Sequence, residues 1–127
     1  MRMSVRFLVS AFILTATACG SSTGTTYGGG SNPPASCTGL GASATIDATG
    51  SLTFNPNAAT ITAGQKVCWV NNSGIAHTVT SDNGGFTGGS LPTGSTVVVT
   101  FAAAGSYPYH CQPHLAQGMT GTITVNP

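Results

Sequence analysis

Charge is almost absent from this chain. Only 4% of its 127 residues are acidic or basic, namely Arg2, Arg6, Lys66, Asp47 and Asp82. With no basic stripe to neutralise phosphates, nucleic acid is excluded as a partner. With no acidic cluster to steer a basic partner from a distance, docking must rest on shape and apolar contact. Histidine is nearly as scarce, at three residues, His77, His110 and His114. Three imidazoles cannot furnish the several histidine-rich centres of a multicopper enzyme, and there is no C-x3-C pair for a binuclear centre. Long apolar runs are lacking as well. The run Phe7 to Leu14 falls well short of the roughly 20 apolar residues that span a bilayer. Nor does any segment carry a sustained 3.6-residue apolar stripe, which removes amphipathic helices from the expected architecture.

What remains, from about Cys37 onward, is a β pattern. Short β-branched or apolar runs cover Ala44 to Ala48, Leu52 to Phe54, Thr60 to Thr62, Val67 to Val70, Thr78 to Thr80, Thr96 to Phe101, Tyr107 to Cys111 and Thr122 to Val125. Turn clusters such as Asn55-Pro56-Asn57, Ala63-Gly64 and Asn71-Asn72-Ser73-Gly74 separate them. About eight short strands with this punctuation predict an all-β fold, a two-sheet antiparallel sandwich. Period-2 alternation nominates a core of Val67, Trp69, Val97, Val99 and Phe101, with Phe54, Ile61, Tyr107, Tyr109, Ile123 and Val125.

The N-terminal segment has a different character. Arg2 and Arg6 precede the Phe7 to Leu14 run, and Ala16-Thr17-Ala18 follows, which is the plan of a cleaved secretory signal over residues 1–18. Cys19, directly after those small residues, resembles the lipidated cysteine of bacterial lipoproteins, although Ala16 stands where that pattern usually has Leu. The resemblance implies an exported protein whose lipid at Cys19 holds it on a membrane, in a periplasm or at a cell surface. Cleavage after Ala18 without lipidation would instead leave Cys19 a free thiol on a secreted, soluble protein. Gly20 is not the Asp that retains lipoproteins at an inner membrane. Residues 19–36 are dominated by Gly, Ser and Thr and read as a flexible linker. The folded domain is expected over 37–127.

Export frames the cysteines. Setting Cys19 aside leaves Cys37, Cys68 and Cys111, an odd number, so in an oxidising compartment two should pair and one should have another duty. Cys111 lies in the company of His114 and Met119, which leaves Cys37 and Cys68 as the expected disulfide. Closing a loop of about 30 residues would stabilise the fold by roughly 3–4 kcal/mol in the chain-entropy model. Cys68 alternates away from Val67 and Trp69, so the bridge should lie on an outer sheet surface.

The chemistry is concentrated in Tyr107 to Met119, Y-P-Y-H-C-Q-P-H-L-A-Q-G-M. Cys111, His114 and Met119 follow the spacing C-x2-H-x4-M, and His77 lies about thirty residues upstream in N-N-S-G-I-A-H-T-V. One thiolate, two imidazoles and a weak axial thioether form the ligand set of a mononuclear blue-copper site. Zinc sites prefer more thiolates or imidazoles and rarely use methionine. His110 adjoins Cys111 on a strand, so it points to the opposite face and is not counted as a ligand. A Cys–His nucleophile would need an orienting acid, and neither Asp47 nor Asp82 sits in a recognisable motif. No catalytic role is therefore expected.

Three stretches resemble the cupredoxins, the type 1 blue-copper proteins, and are most like their plastocyanin branch. These are G-S-L-T-F-N-P (50–56), G-Q-K-V-C-W-V-N-N-S-G-I-A-H-T-V (64–79) and Y-P-Y-H-C-Q-P-H-L-A-Q-G-M-T-G-T-I-T-V (107–125). The resemblance implies an eight-stranded Greek-key sandwich carrying one copper on His77, Cys111, His114 and Met119. It implies that His114 is the electron exit, ringed by apolar positions matched here by Leu52, Gly74, Pro113 and Ala116. The chain departs from the pattern at Ala76, where proline is usual, at Thr78, where an asparagine braces the cysteine loop, and at Gln117, a polar residue in the expected apolar ring. The acidic patch of the plant proteins is absent. The expected function is one-electron carriage between redox partner proteins by a monomer, with copper storage or delivery as the alternative.

Overall fold

The computed structural model describes residues 34–127, which build two packed β-sheets. In chain order the strands are β1 (Ala44–Ala48), β2 (Phe54–Asn55), β3 (Ala58–Thr62), β4 (Lys66–Asn71), β5 (His77–Ser81), β6 (Gly89–Leu91), β7 (Ser95–Thr100), β8 (Gly105–His110) and β9 (Thr120–Asn126). One sheet has the order β2-β1-β4-β7 and the other β3-β9-β8-β5-β6. Alternation explains most of these strands. Ile46 and Ala48 are buried while Asp47 between them is exposed, and Ile123 and Val125 are buried on either side of exposed Thr124.

Two features of the sequence expectation need correction. The sandwich is not purely antiparallel: β1 runs parallel to β4 (Ala44 opposite Val67, Asp47 opposite Val70), and β3 runs parallel to β9. A period-2 pattern states which face a side chain occupies, but it is silent on the direction of the neighbouring strand. Here the chain leaves the first sheet after β2, passes through the second as β3 and returns as β4, so β1 and β4 meet by a crossover rather than a hairpin. The strands among the described residues also number nine rather than eight. β6 escaped notice because Gly89-Ser90-Leu91 has no β-branched run, yet Leu91 is wholly buried.

The core is aromatic. Trp69 and Tyr109 pack edge to face at 5.3 Å between centroids, Phe54 adds to Tyr109 at 4.8 Å, and Phe101 meets Tyr107 at 4.9 Å. Such pairs contribute about 0.5–1.5 kcal/mol each beyond simple burial. Of the nominated core, Val97 and Tyr107 are only partly buried, while Ile46, Ala48, Val79, Leu91 and Met119 join it. Tyr109 lies opposite Gly121 in the ladder, and its ring covers the space a Cβ would need there, so position 121 must be glycine. Tyr109 Oη and Trp69 Nε1 have no hydrogen-bond partner among the described residues. Burial pushes the Tyr109 phenol up to about 12.

Strand β4 breaks the alternation rule: Val67 to Asn71 are all buried. Its outer face is covered because Cys37 and Cys68 form a disulfide that pins the preceding segment across the sheet. Asn72 Nδ2 donates to the Ala35 carbonyl at 3.0 Å, which holds the start of that segment down as well.

Candidate metal centre

The topology brings the distant candidate residues together. β5 and β8 are antiparallel neighbours, with Thr80 opposite His110. Continued past the end of β8, that register sets Cys111 opposite Val79, and His77, on the same face of β5, lies close enough for its Nδ1 to approach the sulfur. After Cys111 the chain forms a short 3-10 helix, Gln112–Gln117, with Pro113 in its first turn. Gly118 ends that helix with φ 80°, a left-handed conformation that costs glycine little. This reversal returns the chain so that the Cys111 N–H donates to the Met119 carbonyl at 2.9 Å. Met119 is completely buried.

Three donor atoms converge at this end of the sandwich. Cys111 Sγ lies 3.3 Å from His114 Nδ1 and 3.7 Å from His77 Nδ1, and the two Nδ1 atoms are 3.3 Å apart. Cys111 and His77 are buried, whereas His114 is half-buried. Burial first, and then the neighbouring His114, hold His77 below the ordinary histidine value, while the Thr49 backbone opposes. The three donor atoms all lie within 4.8 Å of one another, close enough to share one cation. A shared cation satisfies all three, and a thiolate with two imidazoles suits copper.

The surroundings hold these donors in place. The Thr78 N–H points at Cys111 Sγ at 3.3 Å, and Thr78 Oγ1 accepts the Gln112 N–H at 2.8 Å. Thr78 thus spans the cleft between β5 and the cysteine loop, the bracing duty that the resemblance assigned to an asparagine. On the other side, fully buried Asn71 donates through Nδ2 to the carbonyls of Ile75 (2.8 Å) and Leu91 (2.9 Å). Its Oδ1 accepts from the N–H and hydroxyl of Ser73. Ser73 Oγ in turn lies 3.2 Å from His77 Nε2. Sequence reading passed over Asn71 and Ser73, treating N-N-S-G as turn punctuation. An Asn-x-Ser ahead of a histidine was the available signal.

The remaining nominated residues fall as follows. Gly74, Ala76, Pro113 and Ala116 are exposed, and Leu52 is half-buried in a turn closed by Thr49 and Thr53, with φ 58°. Gly50 of that turn faces Ser73, which brings Leu52 to the same end of the molecule. Gln117 is exposed. Two apolar residues were missed: Leu115 is 48% exposed and Ile75 is 38% exposed. His110 points away from the cluster, bonding Asp82 through Nδ1 and Gln112 Oε1 through Nε2 at 2.9 Å. Because both partners are acceptors, the ring needs both protons, and the Asp82 bond, then the Gln112 bond, raise its pKa. Cys19 lies outside the described residues.

Comparison with known proteins identifies the family and the fold. Residues 41–126 match the copper binding proteins of the plastocyanin/azurin family. Plastocyanin of Scenedesmus fuscus is 38% identical, in an alignment covering 60% of this chain and 89% of that protein. Plastocyanin A/B of Petroselinum crispum is 35% identical, covering 61% and 91%. Among solved structures, a reduced tryptophan-to-tyrosine mutant of amicyanin superposes with a TM-score of 0.62 at 25% identity, covering 75% of this chain and 92% of that one. A purple cupredoxin from Nitrosopumilus maritimus gives a TM-score of 0.57 at 27% identity, covering 65% and 99%.

Proposed function

Because this chain belongs to the plastocyanin/azurin family of copper-binding proteins, we propose that His77, Cys111, His114 and Met119 hold its copper ion and that His114 is where electrons enter and leave. The protein is a type 1 copper electron carrier, and the convergence of His77, Cys111 and His114 within 4.8 Å carries the assignment to these side chains. Bound there, copper supplies a one-electron couple between Cu(I) and Cu(II).

The chain's own residues do the rest. Buried Cys111 and His77 keep water away from the donors, and the Thr78 N–H stabilises negative charge on the cysteine sulfur. Fixed donors mean that little of the protein rearranges when the charge changes. His114 is half-buried with Nδ1 turned inward, so its outer edge offers the shortest route to a partner. Exposed Leu115, Pro113 and Ala116, in the same short helix as His114, flank that route with apolar surface, which suits a docking face that lacks charge.

The rest of the chain fits a tethered carrier, with residues 1–18 as an export signal, Cys19 as a lipid anchor, 19–36 as the linker and 37–127 as the copper domain. Loading the full chain with Cu(II) should produce an intense blue thiolate-to-copper absorption band, and Cys111→Ser should abolish it. A band that survives in Cys111→Ser would rule the assignment out. Reversible reduction without loss of the metal marks a carrier, whereas transfer of the metal to an acceptor would mark delivery.

A further inference from the structure

We infer that Ser73 is a positioning residue for the copper site: its hydroxyl oxygen accepts the Nε2–H of His77 and so selects the tautomer that presents a bare Nδ1 lone pair to the cluster. The inference rests on His77 being a copper ligand.

The argument is a count of donors and acceptors around one hydroxyl. It begins at Asn71, whose amide can face only one way. Nδ2 lies 2.8 Å from the Ile75 carbonyl and 2.9 Å from the Leu91 carbonyl, so turning the amide over would set Oδ1 against two oxygens. Oδ1 therefore faces Ser73, at 2.9 Å from its N–H and 2.7 Å from its hydroxyl. The Ser73 hydroxyl owns one proton. Two oxygens stand ready to receive it, Asn71 Oδ1 at 2.7 Å and the Ile75 carbonyl at 3.1 Å. Were the proton given to His77 instead, both oxygens would be left facing the hydroxyl's lone pairs. With the proton committed, Oγ can only accept, as it already does from the Ile75 N–H at 3.2 Å. The contact with His77 Nε2 at 3.2 Å then requires the hydrogen to sit on Nε2.

The consequence lies on the other side of the ring. An imidazole with its hydrogen on Nε2 has a lone pair on Nδ1, the atom that faces Cys111 Sγ and His114 Nδ1. The opposite tautomer would put a hydrogen where a metal must bind. A partner on the far ring nitrogen is the usual way in which a ligating histidine is oriented. The reach of this clamp is long for so small a side chain. Through Asn71 it joins the end of β4 to the carbonyl at the end of β6, so two strands from different sheets help to set the angle of one ligand.

The test uses the full chain, first without metal at a pH where both imidazoles are neutral. Long-range ¹H–¹⁵N correlation should show His77 wholly as the Nε2–H tautomer in the native protein and in Ser73→Thr, which keeps the hydroxyl. Ser73→Ala should show a mixture of tautomers, while unchanged side-chain amide resonances of Asn71 report that the turn still holds. Cu(II) titration should then show a loss of about 10–100-fold in affinity for Ser73→Ala and rescue in Ser73→Thr. A His77 that stays wholly Nε2–H in Ser73→Ala overturns the inference, as does a changed tautomer with unaltered copper affinity. Failure of the native protein to turn blue would instead count against His77 as a copper ligand, which the tautomer measurement does not touch.

Discussion

The two histidines of the proposed copper site stand in opposite surroundings. His77 is buried to within 1% of complete enclosure and sits at the start of a strand, with Ser73 on its Nε2 and Asn71 behind Ser73. His114 sits in a short 3-10 helix at the surface, beside exposed Leu115, and is only half-buried. The same side chain is thus used twice for different ends. In the proposed site His77 is built into the sandwich, so that its position would persist when the charge on the metal changes. His114 is placed in a surface helix, where the proposed electron exit would have a short path. A rigid scaffold carrying functional loops at one end is a general solution to this pair of demands.

The largest effect should come from removing each ring in turn. His77→Gly and His114→Gly should both lose copper affinity by more than the roughly 10–100-fold typical of an outer-shell change. They should part company when imidazole is added to the solution. The His114→Gly gap opens to solvent and should recover the blue band, whereas the enclosed His77→Gly gap should not. Equal rescue, followed by absorbance, would break the comparison.

A smaller effect should follow from cutting the one side chain that serves both sides. Thr78→Val keeps the shape and the N–H to sulfur but deletes the acceptor for the Gln112 N–H. The hydroxyl's bond to Thr80 Oγ1 goes too, so denaturant melts should show a loss of about 1–3 kcal/mol, the usual net worth of two hydrogen bonds. The band should remain but shift, because the loop bearing His114 is less firmly joined to the strand bearing His77.

The smallest effect concerns pH. His110 and Asp82 clasp on the outer face next to the cysteine loop, and the clasp raises the histidine above its unfolded value of about 6.5. Its contribution to stability is therefore full below that pH and fades as pH rises through the raised folded value. Asp82→Asn should flatten this part of the stability profile. The change should stay within about 1 kcal/mol, because Asp82 is 41% exposed and the pair is partly screened.

Much of this was legible in the sequence because the relevant information is local. C-x2-H-x4-M sets the three proposed ligands Cys111, His114 and Met119 in one short stretch, and Gly118 before Met119 supplies the reversal that folds the loop back. Cysteine parity pointed to the Cys37–Cys68 bridge, and alternation put His110 on the wrong face to bind with Cys111. The parallel pairs β1–β4 and β3–β9 were not legible, since strand direction depends on how segments cross between sheets. Nor were Asn71 and Ser73, because N-N-S-G reads as a turn until the carbonyls of Ile75 and Leu91 are seen beside the amide. Exposed Leu115 and Ile75 look like ordinary core candidates until burial is known.

By itself, the sequence supplied the side chains of the proposed site: a thiol, two imidazoles and a thioether in a β framework with little charge. Ligand identity is a matter of residue type and short spacing, and these survive without coordinates. The tertiary structure decided which histidine is locked and which is open, and it handed the bracing of the cysteine loop to Thr78 and the orientation of His77 to Ser73. Those roles depend on hydrogen bonds between segments distant in sequence, whose 3 Å geometry arises only when both sheets have closed around the site.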